Sequence, residues 1–345
     1  MIAALLFLAC SSAPPDPSTA PAVPSPEPAA DEAEAEAPPI EHALPTTKGH
    51  RAREALDGRI TTARRLLPQR PQTLPVLMAD LAVRSSLFGQ VSDLHEMMTL
   101  AKGTPSEGKA LMAVHRFEEA LAADPSLADS VNLALHRDLD ALAATRRAAV
   151  EERASTDTWT ALADVLLAQG KAAEADRAYA NALAAYRDVS PLTVADLQFR
   201  RGLAWGESGE DPARARALYE RATERLPDFV RAHVHLAEIE FEAGDKTAAI
   251  DRVRRVAHSE DPEPGGKLAQ WLPEPEATEW RERTTAAYDK LLAQYPLAFA
   301  NHAAEYFRAI GERDRARELA ELDLANRDTP RARELCAELG CKPPE

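Results

Sequence analysis

From about Arg51 onward, apolar residues recur at the i, i+3, i+4 spacing of amphipathic helices, and the helical stretches come in pairs broken by glycine or proline. The clearest pair runs through Trp159, Leu162, Ala163, Val165 and Leu166, turns at Gly170, and resumes with Ala175, Tyr179 and Ala182. The pattern returns in Gly202, Trp205, Gly209, Ala215, Tyr219, Ala222 and Pro227, with one extra residue in the turn around Asp211-Pro212. It returns again in Leu236, Ala237, Gly244, Asp245 and Ala249, and in Ala303, Ala304, Phe307, Gly311 and Ala316. Ala215 and Ala249 are 34 residues apart, and Gly244 and Gly311 are 67 apart, so one further pair belongs between them. Its second helix is marked by Thr284, Tyr288, Leu291 and Pro296; Pro262, Pro264, Pro273 and Pro275 crowd the first, which is expected to be poor. The class this predicts is all-α.

A large residue, a leucine with a small neighbour, a turn glycine, then alanine, aromatic, alanine: this order and period resemble the tetratricopeptide repeat. The resemblance implies an α-solenoid of antiparallel helix pairs wound into a right-handed superhelix, in which repeats must stack because no single pair buries its apolar face. It covers 156–330 most clearly. Residues 51–155 carry weaker matches (Ala113, Phe117, Ala120, Pro125) and are expected to be degenerate repeats. Residues 331–345 read as a capping helix (Arg331, Ala332, Leu335, Leu339) and tail.

Ahead of the helices, Ile2 to Ala9 are all apolar and Cys10 follows at once. The run is far shorter than the roughly 20 residues that span a bilayer. It resembles the lipobox signal of bacterial lipoproteins, in which the cysteine is lipidated after cleavage. Phe7 stands where that family has leucine, and no Lys or Arg precedes Cys10. Residues 11–47 contain ten prolines and no Lys or Arg, so 11–50 is expected to be a disordered linker. In polyproline II it would reach on the order of 100 Å. Cys336 and Cys341 can pair in an oxidising compartment if the helix ends near Gly340.

The formal net charge of −15 argues against nucleic acid and against docking on anionic lipid heads. No phosphate loop, nucleophile elbow or zinc-protease motif occurs. His233 and His235 point apart on a helix, and the His302/Glu305 pair has no matching second pair. No enzyme, metal or cofactor is expected. The tetratricopeptide resemblance implies a concave face lined by the first helix of each repeat. Carried onto this chain it comprises Asp157, Thr160, Asp164, Asp196, Phe199, Glu207, Arg231, Glu238, Phe241, Glu242, Asn301, Glu305 and Arg308, a mainly acidic set. Such a groove suits a basic or apolar protein segment and would repel a peptide carboxylate. The expectation is a non-catalytic scaffold or assembly adaptor with protein partners, held in the cell envelope by its lipid alone, facing the periplasm at the outer membrane. The alternatives are a soluble secreted binding protein, a small-ligand binder or enzyme with a pocket inside the superhelix, and an array that self-associates through its ends.

Overall fold

The computed structural model describes residues 37–40, 45–208 and 211–341. The expected signal with Cys10 and residues 11–36 and 41–44 of the expected linker lie outside the described residues, as does the side chain of Glu207. Eighteen α-helices and no strand occur among the described residues. The first seven are α1 (Gly49–Leu66), α2 (Leu74–Phe88), α3 (Ser92–Ala101), α4 (Glu107–Ala113), α5 (Phe117–Ala123), α6 (Ala128–Ala134) and α7 (Leu139–Glu152). The array follows as α8 (Thr156–Ala168), α9 (Ala172–Ala185), α10 (Pro191–Leu203), α11 (Pro212–Arg225), α12 (Val230–Glu242), α13 (Lys246–Val256) and α14 (Glu263–Trp271). It ends with α15 (Glu276–Gln294), α16 (Pro296–Ala309), α17 (Arg313–Asn326) and α18 (Pro330–Leu339).

From α8 onward, consecutive helices pack in hairpins, α8 on α9 through α16 on α17, with α18 closing on α17. Local sequence explains the ends. Ser155 and Thr158 form a reciprocal capping box at α8, and Asp211, Asp245 and Thr329 cap α11, α13 and α18 through their side chains. Gly170, Gly244 and Gly311 take φ of 74°, 91° and 90° where first and second helices join, a left-handed conformation that costs a residue with a Cβ. Tyr179, Tyr219, Tyr288 and Phe307 are almost wholly buried between neighbours, against alanines that let the helices close up. Each such side chain contributes roughly 1.5–3 kcal/mol of burial.

Two local expectations change. The extra residue near Asp211-Pro212 is absorbed one turn earlier, as a π-helical turn over Ala204–Ser208, and the Asp211 N–H donates to the Trp205 carbonyl at 3.1 Å. The first helix crowded by prolines forms well. Pro262 and Pro264 sit at its N-cap and first turn, where a missing N–H costs nothing, and Pro273 and Pro275 lie beyond its end.

The larger difference concerns 51–155. Helices α1–α6 do not continue the stack in line. They lie along the row of turns that join one repeat to the next. The Thr47 N–H donates to the Val189 carbonyl at 2.8 Å. Arg53 pairs with Asp228 at 2.7 Å. Glu260 donates its N–H to the Gly89 carbonyl and accepts from the Ser92 N–H at 2.6 Å. His95 meets the Tyr295 hydroxyl at 3.1 Å, and Asn326 donates to the His115 carbonyl at 3.2 Å. Five successive turns of the array are thus tied to one layer, whose Leu56, Ile60, Leu77 and Leu81 share a core with Phe199, Phe229 and Phe299. The segment expected to be solvated up to residue 50 also ends earlier: 37–40 and 45–48 touch the array, and α1 begins at Gly49.

Candidate functional site: the face shared by the first helices

Helices α10, α12, α14, α16 and α18 are the first helices of successive units. α12 touches α14, α14 touches α16 and α16 touches α18, and Phe199 of α10 packs its ring on His235 of α12, so they present one continuous face. Two residues before the small residue of each first helix (Gly202, Ala237, Ala269, Ala304) stand Arg200, His235, Lys267 and His302. This column of basic side chains runs down the face, and each member meets carboxylates. Arg200 binds Asp164 at 2.8 Å and Asp196 at 2.7 Å. Lys267 is paired with Glu238, which also lies 3.6 Å from His235. His302 lies 3.6 Å from Glu263, and beyond it Glu305 accepts from Arg331 at 2.7 Å.

The protonation states follow from burial and neighbours. Burial and then the Asp261 charge push the Glu263 carboxyl up to about 7; burial also raises Asp261, whose carboxylate accepts from the Glu263 N–H at 2.9 Å. Burial would raise Glu238 as well, but the Lys267 ammonium and then His235 more than offset it, and its pKa falls. Burial opposes the charge on Lys267, yet Glu238 and Glu263 carry its pKa upward. Glu305 is raised by burial and lowered more by Arg331. His235, packed between Phe199 and Tyr219, is pushed down to about 3 by burial and stays neutral.

The expected face residues divide accordingly. Asp157 and Glu242 are exposed, and Thr160 is half-buried with its hydroxyl donating to the Thr156 carbonyl. Asp164, Asp196, Glu238 and Glu305 are engaged by the cations above. Asp164 also accepts from the Tyr179 hydroxyl at 2.6 Å. Asn301 is buried and donates to Asp323 at 3.0 Å, and Arg308 pairs with Glu338. Phe199 is buried among Tyr219, Phe229 and the Arg231 guanidinium, 4.8 Å from its ring. Phe241 stacks on Trp271 at 4.4 Å. Both phenylalanines pack repeat against repeat.

The column at Arg200, His235, Lys267 and His302 was not among the expected residues, and it changes the charge of the face from acidic to mixed. The signal for it lay in the repeat register, once the proline-flanked α14 is aligned with its neighbours. Among the described residues no group of three or more His, Cys, Asp or Glu could hold a metal, and no helix is long and apolar enough to cross a membrane. A cavity of about 20 Å³, room for one water, lies between α2–α4 and Arg231 with Asp261. Cys336 and Cys341 are joined by a disulfide with Cα atoms 5.0 Å apart, across the end of α18.

The family model described as tetratricopeptide repeat matches residues 208–270, from the turn between α10 and α11 to the last turn of α14. Residues 208–270 therefore carry tetratricopeptide-type repeats, a kind of stacked helix pair that generally serves protein interaction. No curated protein matches the chain.

Proposed function

We propose that this tetratricopeptide-repeat chain is a non-catalytic assembly scaffold of the bacterial cell envelope, anchored through lipid on Cys10, that takes a partner segment along the first-helix face. One observation carries the binding part. The first helices from α12 to α18 touch in turn, α10 joins them through Phe199 against His235, and α8 joins α10 through Asp164 and Arg200; the central column is held by carboxylates, and Asp157 on α8 and Glu242 on α12 stay exposed. A basic or apolar segment laid along it would meet Asp157 and Glu242 without displacing any internal ion pair. The test is capture from detergent-solubilised envelope by the wild type and by Asp157→Lys with Glu242→Lys. These two residues are chosen over Glu238, whose reversal would set two ammonium groups together beside Lys267. A partner held by the wild type and lost by the double reversal supports the reading. Equal capture removes this face from consideration. Labelled fatty acid entering the wild type but not Cys10→Ala supports the anchor, and no label in either points to a soluble secreted binder.

A second reading has its own observation. Glu263, raised to about 7 and 3.6 Å from His302, is placed as an acid–base pair would be, which favours a small ligand or a reaction on this face. Glu263→Gln distinguishes the two: the scaffold keeps its captured partner, whereas a small-ligand site loses its ligand.

A further inference from the structure

The segment that precedes α1 is held in a seat of unusual composition. Asp176 on α9 is 0% exposed and accepts from two guanidinium groups at once, Arg201 at 2.5 Å and Arg214 at 2.7 Å. Arg201 itself is 1% exposed. Two cations share one carboxylate, so the cluster keeps a net positive charge below the surface. Its remaining donors point at residues 38 and 39. Arg201 donates from Nη1 to the Pro39 carbonyl at 2.9 Å and from Nη2 to the Pro38 carbonyl at 3.2 Å. Arg214 donates from Nη2 to the Pro38 carbonyl at 2.5 Å. Beside them the Trp205 ring lies 5.3 Å under the Arg214 guanidinium, and its buried Nε1–H has no acceptor among the described residues.

Everything the seat offers is a donor or an aromatic face, and everything the strap offers it is a main-chain carbonyl. A proline pair suits such a seat. Proline has no N–H to leave unpaired, and its fixed φ holds the chain extended with carbonyls projecting. The strap shows the matching alternation: Pro38 and Ile40 are half-buried, while Ala37 and Pro39 face out. Residues 45–48 continue to the far end of α11, where Arg225 donates to the Thr46 hydroxyl at 3.1 Å. None of these contacts to residues 38 and 39 reads a side-chain polar group. Any extended chain with a proline pair followed by an apolar residue presents the same acceptors, and one lacking Lys and Arg, as residues 11–47 do, complements the charge.

We propose that the Asp176–Arg201–Arg214–Trp205 seat is a docking site for an extended proline-rich segment of another protein, with residues 37–40 of this chain, followed by 45–48 along α11, as its resident competitor. This is a second surface, on the α9–α11 side of the array, and it does not depend on the first-helix face. A ligand arriving in trans meets a site open only for the fraction of time the strap is off, so its apparent affinity is reduced by that fraction.

The test uses the full chain and a fluorescent peptide with the sequence of residues 34–48, read by anisotropy. Loosening the strap with Pro38→Gly and Ile40→Asp leaves the seat untouched and is expected to tighten peptide binding about tenfold or more over the wild type. Adding Arg214→Gln, which keeps the Asp176–Arg201 pair and hence the fold, is expected to weaken it again about tenfold or more. A peptide with its three prolines changed to alanine is expected to bind several-fold more weakly. Equal binding by wild type and loosened chain, equal binding by the Arg214→Gln chain, equal binding of the alanine peptide, or no binding at about 1 mM peptide each overturns the proposal and leaves the strap a brace.

Discussion

Replacing Gly202 by alanine sets two effects of known size against each other. Gly202 lies in the last turn of α10, and a Cβ built there would come within 2.6 Å of Tyr219 Cδ1 and 3.0 Å of its Cζ. The ring cannot step aside: Tyr219 is 1% exposed and held by Phe199 and His235, each at 5.5 Å between centroids. Overpacking of this kind costs about 1–3 kcal/mol, and a contact this close against a fixed ring belongs at the upper end. Alanine regains about 1 kcal/mol over glycine in a helix. The balance is a net loss of about 2 kcal/mol, read as a lowered urea midpoint with unchanged slope. The equivalent place in the preceding pair holds Ala163, but there the Tyr179 hydroxyl is drawn to Asp164 at 2.6 Å. Tyr219→Leu should relieve the clash, so the double variant should be less destabilised than the sum of the singles by at least about 1 kcal/mol. Stabilisation by Gly202→Ala, as helix propensity alone would give, or strict additivity of the pair, would refute the reasoning.

Three further outcomes follow from the structure. Asp176→Asn leaves the buried Arg201 and the half-buried Arg214 without their carboxylate and should cost about 3–5 kcal/mol, measured by the same unfolding assay. Glu263 has a folded pKa of about 7, above its ordinary 4.5. Its contribution to stability is therefore present in full below about pH 4.5 and is lost as pH rises through 7. The loss is about 3 kcal/mol, so the advantage of Glu263→Gln over wild type should grow between pH 5 and pH 8; a constant difference would contradict the assignment. Opening the Cys336–Cys341 bridge with Cys341→Ser should release about 2 kcal/mol of loop-closure restraint. The loss should appear as faster amide exchange across α18, with α8–α15 unchanged.

Helix pairing was legible in the chain because it is local. Leucine, alanine and the turn glycines repeat at intervals that any stack of such pairs requires, and α8–α18 follow them to within a few residues. Even the disulfide was legible, since Gly340 ends α18 between the two cysteines. The first-helix face was legible only by half. Spacing identifies which residues share it, but not that Arg200, Lys267 and His302 cross it to Asp164, Glu238 and Glu263, for those pairs join different repeats, whereas His235 meets Glu238 within its own helix.

What tertiary structure alone decided involves residues far apart in sequence. The layer α1–α6 lies on the turns through contacts such as Arg53–Asp228, 175 positions apart, and Asn326–His115, 211 apart. The strap reaches Arg201 across 162 positions. Proline-rich composition implies a segment without helix or strand, as 37–40 is, but composition cannot show a buried, doubly paired Asp176 with spare donors waiting for its carbonyls. Local periodicity specifies which face each helix buries. It carries no information about which distant surface satisfies the hydrogen-bond donors left over once that face is covered, and in this protein those leftover donors position the strap.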